Sequence, residues 1–169
     1  GTFEMVQLWV NLPARDKSAE PGYQGISDAQ IPEVDLPEGA GRLRVIAGEF
    51  EGAKGPARTF TPLDVLDLRL NAGKTVTLHP TEGHNVIVVV LSGEVAVNAE
   101  ARLSGPASAR LAREGGAVVL EAISGAKVLL LSGEPIDEPV AAYGPFVMNT
   151  EAEIRQAITD FQSGMFGRL

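Results

Sequence analysis

The hydrophobic pattern of the chain centres on residues 71–98, NAGKTVTLHPTEGHNVIVVVLSGEVAVN. Thr75-Val76-Thr77-Leu78 alternates polar and apolar positions, and Pro80-Thr81-Glu82-Gly83 supplies a turn. Val86-Ile87-Val88-Val89-Val90-Leu91 then runs unbroken into Ser92-Gly93-Glu94. Period-2 residues, a Pro/Gly turn and a β-branched run predict a hairpin whose second strand is covered on both faces. Further strands are predicted over 41–50, 63–70, 108–112, 116–122 and 127–132, separated by turn residues at Glu51-Gly52, Asn71-Ala72-Gly73, Gly115-Gly116 and Ser124-Gly125. Many short, evenly spaced strands predict an all-β jelly-roll barrel. Three apolar stretches close alike, at Ala47-Gly48-Glu49, Ser92-Gly93-Glu94 and Ser132-Gly133-Glu134. These read as rim turns, with glycine permitting a bulge or a positive φ.

The two ends have a different texture. In Phe3 to Leu12, FEMVQLWVNL, one row holds Phe3, Met5 and Trp9 and the other Val6, Leu8, Val10 and Leu12. A strand with two apolar rows is covered on two sides. It is either a central strand of the sandwich or a strand whose Trp9 row faces a second domain that the chain does not contain. Residues 13–40 are polar and broken by prolines 13, 21, 32 and 37. They predict an extended connection pinned by Tyr23, Ile26, Ile31 and Val34, with a short helical turn over 27–30. Beyond Glu134 another proline-rich strap leads to a short C-terminal α-helix. Thr150 and Glu153 form a capping box, Ile154, Ala157, Ile158 and Phe161 recur at helical spacing, and Gly164 follows the end near Gln162. The expected organisation is an interface strand over 1–12, a linker over 13–40, a barrel over 41–148 and a helix over 149–164.

Composition narrows the function classes. With 169 residues and 44% hydrophobic content, the chain can bury the core of one large β domain. Its 14 basic residues against 22 acidic ones give a net charge of −8 without a basic stripe, which argues against direct nucleic-acid binding. No apolar run approaches the roughly 18 residues of a membrane-spanning helix. The absence of cysteine removes disulfides, thiolate zinc sites, iron–sulfur clusters and a cysteine nucleophile, and agrees with a cytoplasmic setting. The chain begins at Gly1 rather than Met, which is expected of a tag scar or of a piece cut from something longer.

The central stretch overlays part of the first cupin signature: Gly73, five residues, His79, and Gly93 at the closing offset. Thr81 stands where a second histidine belongs, and Asn85 and Val86 occupy the places open to a glutamate. A cupin iron, manganese or nickel site needs about three imidazoles and a carboxylate, and the chain has two histidines. No catalytic residue, cofactor or metal is therefore assigned. The one conceivable metal pair is His79 and His84 with Glu82 between them, enough for zinc with one water. Pro80 and Gly83 make a tight turn in which the two rings need not converge, so hydrogen-bonded loop histidines are the better reading. No G-x-S-x-G elbow occurs, and Ser132 sits where a strand ends. Gly39-Ala40-Gly41 lacks the further glycine and helix of a phosphate cradle. A barrel lined by Trp9, Val88, Val90, Val118 and Leu130 could enclose a small apolar molecule.

Several strings resemble the carboxy-terminal part of the pirin family, two-cupin proteins about twice this length. They are Gln7-Leu-Trp-Val-Asn-Leu-Pro13, Tyr23-Gln24, Arg44-Val-Ile-Ala-Gly-Glu49, Leu66-Asp67-Leu68, Gly83-His84-Asn85, Gly133-Glu134-Pro135, Glu138-Pro139, Tyr143-Gly-Pro-Phe-Val-Met-Asn-Thr150 and Glu153-Ile154. The resemblance implies a metal-free cupin barrel beside an amino-terminal barrel that binds one iron through three histidines and a glutamate, all upstream of Gly1. It also implies a whole protein of the quercetin 2,3-dioxygenase-like type or, alternatively, an iron-dependent transcriptional co-regulator. The expected partner is the missing amino-terminal cupin, or another copy, through the Trp9 strand. Two further alternatives are a stand-alone small-molecule-binding cupin and a minimal metal-dependent dioxygenase using His79, His84 and a carboxylate.

Overall fold

The computed structural model describes residues 3–166. Two compact units are present, one from Gln24 to Pro135 and one made from both chain ends, up to Tyr23 and from Ile136 onward.

The 24–135 unit is built on two antiparallel sheets. One has six strands in the order β1 (Glu33–Leu36), β2 (Gly41–Ala47), β5 (Leu63–Leu70), β12 (Ala126–Gly133), β7 (Asn85–Ser92) and β10 (Ala107–Arg110). The other has four, β6 (Lys74–Leu78), β11 (Val118–Ala122), β8 (Glu94–Val97) and β9 (Ala101–Ser104). A short hairpin, β3 (Glu49–Phe50) with β4 (Ala53–Lys54), stands beside them. The inward rows of both sheets merge into one buried cluster, including Leu43, Val45, Leu66, Leu68, Val88, Val90, Val95, Leu120, Val128 and Leu130. This is the jelly-roll arrangement that the strand spacing predicts, with non-polar side chains every second residue along each strand.

Several expectations are corrected in detail. The apolar run in β7 is enclosed on one face only: Val86, Val88 and Val90 are buried, while Ile87 is exposed and Val89 half-buried. The cause is its place in one layer between β12 and β10, where the outward row meets no second sheet. Residues 33–36, placed in the linker by their prolines, are strand β1, paired from Glu33↔Arg44 to Leu36↔Gly41. The connection ahead of β1 is tied down electrostatically. Arg44 of β2 reaches both Asp28, in the short turn Asp28–Gln30, and Asp67, its cross-strand partner on β5. Asp67 is 6% exposed and also accepts from Arg69. The three similar strand ends are not equivalent. Gly48 and Gly93 have φ of 81° and 84°, and a Cβ on either would strike neighbouring atoms. At Gly133, in ordinary strand conformation, an added Cβ would only touch the Leu63 Cβ at 3.4 Å and the Pro62 carbonyl oxygen at 3.9 Å.

The end unit contains the hairpin β13 (Ala141–Tyr143) with β14 (Phe146–Met148), and helix α1 (Glu151–Gln162). The hairpin, expected as the last part of the barrel, therefore groups with the helix. Thr150 caps α1: its hydroxyl accepts from the Glu153 N–H at 3.2 Å, and the Glu153 carboxylate accepts from the Thr150 N–H at 2.7 Å. Ile154 and Ala157 form the buried side of the helix. Phe146, Phe161 and Phe166 meet edge to face with centroids 5.7–5.9 Å apart. Residues 3–12 pair with no sheet of the described chain, so the predicted strand is not formed there.

Candidate functional site

The two histidines follow from the strands that carry them. His79 comes directly after β6, and its Nδ1 donates to the Gly116 carbonyl at 3.0 Å, two residues before β11. A carbonyl only accepts, so Nδ1 carries the proton. The contact closes the same pairing that sets Leu78 against Val118. His84 comes directly before β7, and its Nδ1 lies 3.2 Å from the Ser132 hydroxyl on β12, whose register partner is Val86. One ring is thus fastened within the four-stranded sheet and the other within the six-stranded sheet. The loop between them is braced separately: Gly83, at φ 83°, donates to the Arg113 carbonyl at 3.2 Å, and the Arg113 guanidinium donates to the Asn85 side chain at 2.9 Å.

Such bonding suits two structural histidines. Among the described residues, no group of three or more His, Cys, Asp or Glu side chains stands close enough together to hold a metal ion. The donor set does not fit an iron, manganese or nickel centre, and no chemistry is derived through one. The carboxylate named with the histidines, Glu82, is exposed.

Two features escaped the sequence reading. Ser132, read there as a strand end, is the partner of His84; it is buried and holds β12 to the entrance of β7. Asp67 carries the only strongly enclosed carboxylate among the described residues, with Arg44 and Arg69 around it. The alternation of Asp67 with Leu66 and Leu68 marked it as outward-facing, but cross-strand register alone reveals Arg44 opposite. Of the proposed cavity lining, Val88, Val90, Val118 and Leu130 belong to the packed cluster, whereas Trp9 is exposed and outside it.

Concave surface is found in the end unit. A groove of about 600 Å³ is lined by Ala142, Tyr143, Asn149, Ile154, Arg155 and Ile158, among others. Asn149 there donates to the Glu138 carboxylate and the Pro139 carbonyl, both at 3.0 Å, while its own Oδ1 is buried without a partner. A smaller cleft of about 330 Å³ is lined by Trp9, Val10, Leu12, Lys17 and Val147, among others.

Residues 65–167 match the family model of the pirin C-terminal cupin domain. The chain belongs to that family. A Pseudomonas aeruginosa protein named "Putative quercetin 2,3-dioxygenase" is 51% identical over 168 residues, which is 99% of this chain and 58% of the relative. A "Pirin-like protein" of Caulobacter vibrioides is 40% identical over 171 residues, 98% of this chain and 60% of the relative. A crystal structure of quercetin 2,3-dioxygenase from Acinetobacter baumannii superposes with a TM-score of 0.90 at 50% identity, covering 94% of this chain and 55% of that one. This pirin C-terminal cupin domain thus spans about three fifths of the length of these curated relatives. The family match begins inside β5 and runs through α1, so β1 to β4 lie ahead of it.

Proposed function

We propose that this domain is the metal-free half of a quercetin 2,3-dioxygenase-like two-cupin protein and supports an iron-binding amino-terminal cupin outside these 169 residues. The observation that carries the reading is the fate of the two histidines. Each uses its Nδ1 to fasten a different sheet, and among the described residues no carboxylate joins them in a group that could hold a metal ion. The names of the relatives and the part of their length left uncovered support placing the oxygenase chemistry elsewhere in the whole protein. A cytoplasmic location is part of the same proposal.

The test compares metal content and quercetin consumption of the 169-residue chain with those of a chain extended upstream to the length of its relatives. Stoichiometric iron and activity only in the extended chain is the expected result. Stoichiometric metal on the short chain, lost in His79→Ala and His84→Ala, overturns it.

A further inference from the structure

We propose that the outer face of the six-stranded sheet carries a binding site for a phosphate group, formed by Arg42 of β2 and Arg69 of β5 beside the pocket that both line. The proposal is independent of the two-cupin reading and concerns the 24–135 unit alone.

Two adjacent outward rows of the same strands treat charge in opposite ways. One runs Glu33, Arg44, Asp67 across β1, β2 and β5, and its sign alternates at every step. The next begins alike, with Asp35 opposite Arg42, but then sets Arg69 opposite Arg42 and Lys127 of β12 opposite Arg69. Like charges directly opposite one another destabilise a sheet. Three cations in line stand out further in a chain with 14 basic residues against 22 acidic ones. A local arrangement that costs stability and that the core does not require is the mark of a functional site.

The acids of the alternating row leave most of the two guanidinium groups unused. Arg42 donates through Nη1 to Glu33 at 2.8 Å, and Arg69 donates through Nη1 to Asp67 and to the Leu68 carbonyl. A guanidinium has five N–H donors, and the Nε and Nη2 donors of both residues have no protein acceptor among the described residues. With side chains 60% and 39% exposed, both heads are reachable from solvent. Their cross-strand pairing sets the two Cβ atoms about 5 Å apart, and the planar fork of each matches the oxygens of a phosphate.

The pocket beside them is preformed. It holds about 460 Å³ and is lined by Asp35, Gly39, Arg42, Arg69 and Asn71, among others. Its rim, the turn over 37–40, is pinned at three successive carbonyls. Glu38 accepts from Lys74 at 2.9 Å, Gly39 from the Asn71 side chain at 3.0 Å and Ala40 from the Asn71 N–H at 2.9 Å. Glu38 is thereby held at φ 53°, a conformation that costs a non-glycine residue energy and persists only where its surroundings impose it. Strands about 4.8 Å apart put the three cations within roughly 10 Å. That is the reach of one small phosphate-bearing molecule, whereas a nucleic-acid backbone takes a longer basic track. Asp35 opposes an anion placed next to it, and its oxygens accept from hydroxyl groups. The ligand is therefore a phosphate at the arginines, either free or as the monoester of a small hydroxylated body that extends toward Asp35.

The experiment titrates inorganic phosphate, and separately ribose 5-phosphate, into the 169-residue chain at constant ionic strength, with chloride and ribose as controls. Backbone amide and arginine Nε–H shifts are followed by NMR. Saturable shifts at Arg42, Arg69 and Asn71 are expected with both phosphates and with neither control. Ribose 5-phosphate binding at least about tenfold tighter assigns the monoester, since only it gains contacts beyond the phosphate; equal affinities assign free phosphate. Arg42→Gln should weaken binding at least about fivefold, because a charge-assisted bond to the oxyanion is lost. Arg102→Gln, on the four-stranded sheet, should leave it unchanged. Asp35→Asn should tighten binding about two- to threefold by removing an exposed like charge, a gain that misfolding cannot mimic. Shifts that chloride reproduces, or that rise without saturating, mean general screening and overturn the site. Affinity unchanged in both Arg42→Gln and Asp35→Asn overturns it as well.

Discussion

Leu68, Val88, Val90 and Leu120 are wholly enclosed between the two sheets of the 24–135 unit, whereas Phe3, Met5, Trp9, Tyr143, Phe161 and Phe166 of the end unit remain largely in water. Both regions are rich in apolar residues, and the difference lies in the number of layers. A six-stranded and a four-stranded sheet each offer one apolar row to the other and close a core. A two-stranded hairpin and a twelve-residue helix cover little more than Ile154 and Ala157. At about 25 cal/mol per Å² of apolar surface removed from water, the first region gains most of its stability internally. The second encloses little of its apolar surface within itself.

Substitutions can break this contrast, and the largest effect belongs to the closed core. Leu120→Ala, at a fully buried position, is expected to cost about 2–5 kcal/mol, while Trp9→Ala should change the stability of the isolated chain by no more than about 0.5 kcal/mol. Chemical denaturation of the two variants decides the matter; equal losses would mean that Trp9 is packed. Next comes Asp67→Ala, which leaves Arg44 and Arg69 facing each other without their carboxylate. Because both arginines are partly solvated, the expected loss is about 1–3 kcal/mol, read as a lower melting temperature. If the Asp67 cluster also anchors the 28–30 turn, the same variant should speed hydrogen exchange there.

Smaller effects separate the strand ends from one another. Gly93→Ala forces a left-handed conformation on alanine and should cost at least about 1–2 kcal/mol, whereas Gly133→Ala, at ordinary φ with only van der Waals contacts to the Leu63 Cβ and the Pro62 carbonyl, should be nearly neutral in the same melting assay. In the end unit, Thr150→Ala removes the cap of α1 and should weaken the helix by about 1 kcal/mol, visible in helical circular dichroism. Acidity provides the finest probe of that cap. The Glu153 carboxyl is held below its ordinary value of 4.5, chiefly by the Thr150 hydroxyl, against the opposing effect of desolvation, and then by the N–H groups of Thr150 and Asn149 and the charge of Lys17. A carboxyl lowered in the folded state stabilises it fully above that ordinary value, and the contribution fades as pH falls through the lowered one. Helical signal should therefore decline in this acidic window, and Glu153→Gln should remove that part of the pH dependence.

Local chemistry made much of this legible in advance. The capping box at Thr150 and Glu153, the apolar spacing of Ile154 and Ala157, and the turn glycines at 48 and 93 act through neighbours a few residues away, so their roles can be read along the chain. The shortfall for a three-imidazole cupin set was arithmetic, since two histidines cannot furnish three. Proline spacing misled at β1, because Pro32 and Pro37 flank a strand as readily as a linker. The unbroken run of β7 misled as well, since apolar residues on both faces do not say whether one layer or two will cover them.

Amino-acid order by itself determined the alternating rows that make two sheets, the capped helix at the end and the shortage of imidazoles that rules out a cupin iron site of the usual composition. Tertiary structure alone decided which strands became neighbours. Register placed Arg44 opposite Asp67 and brought Ser132 to His84, contacts separated by 23 and 48 positions in the chain. It also left Phe3 to Val10 without a ladder, because both faces of a strand can be covered only where enough layers converge, and the described chain supplies too few.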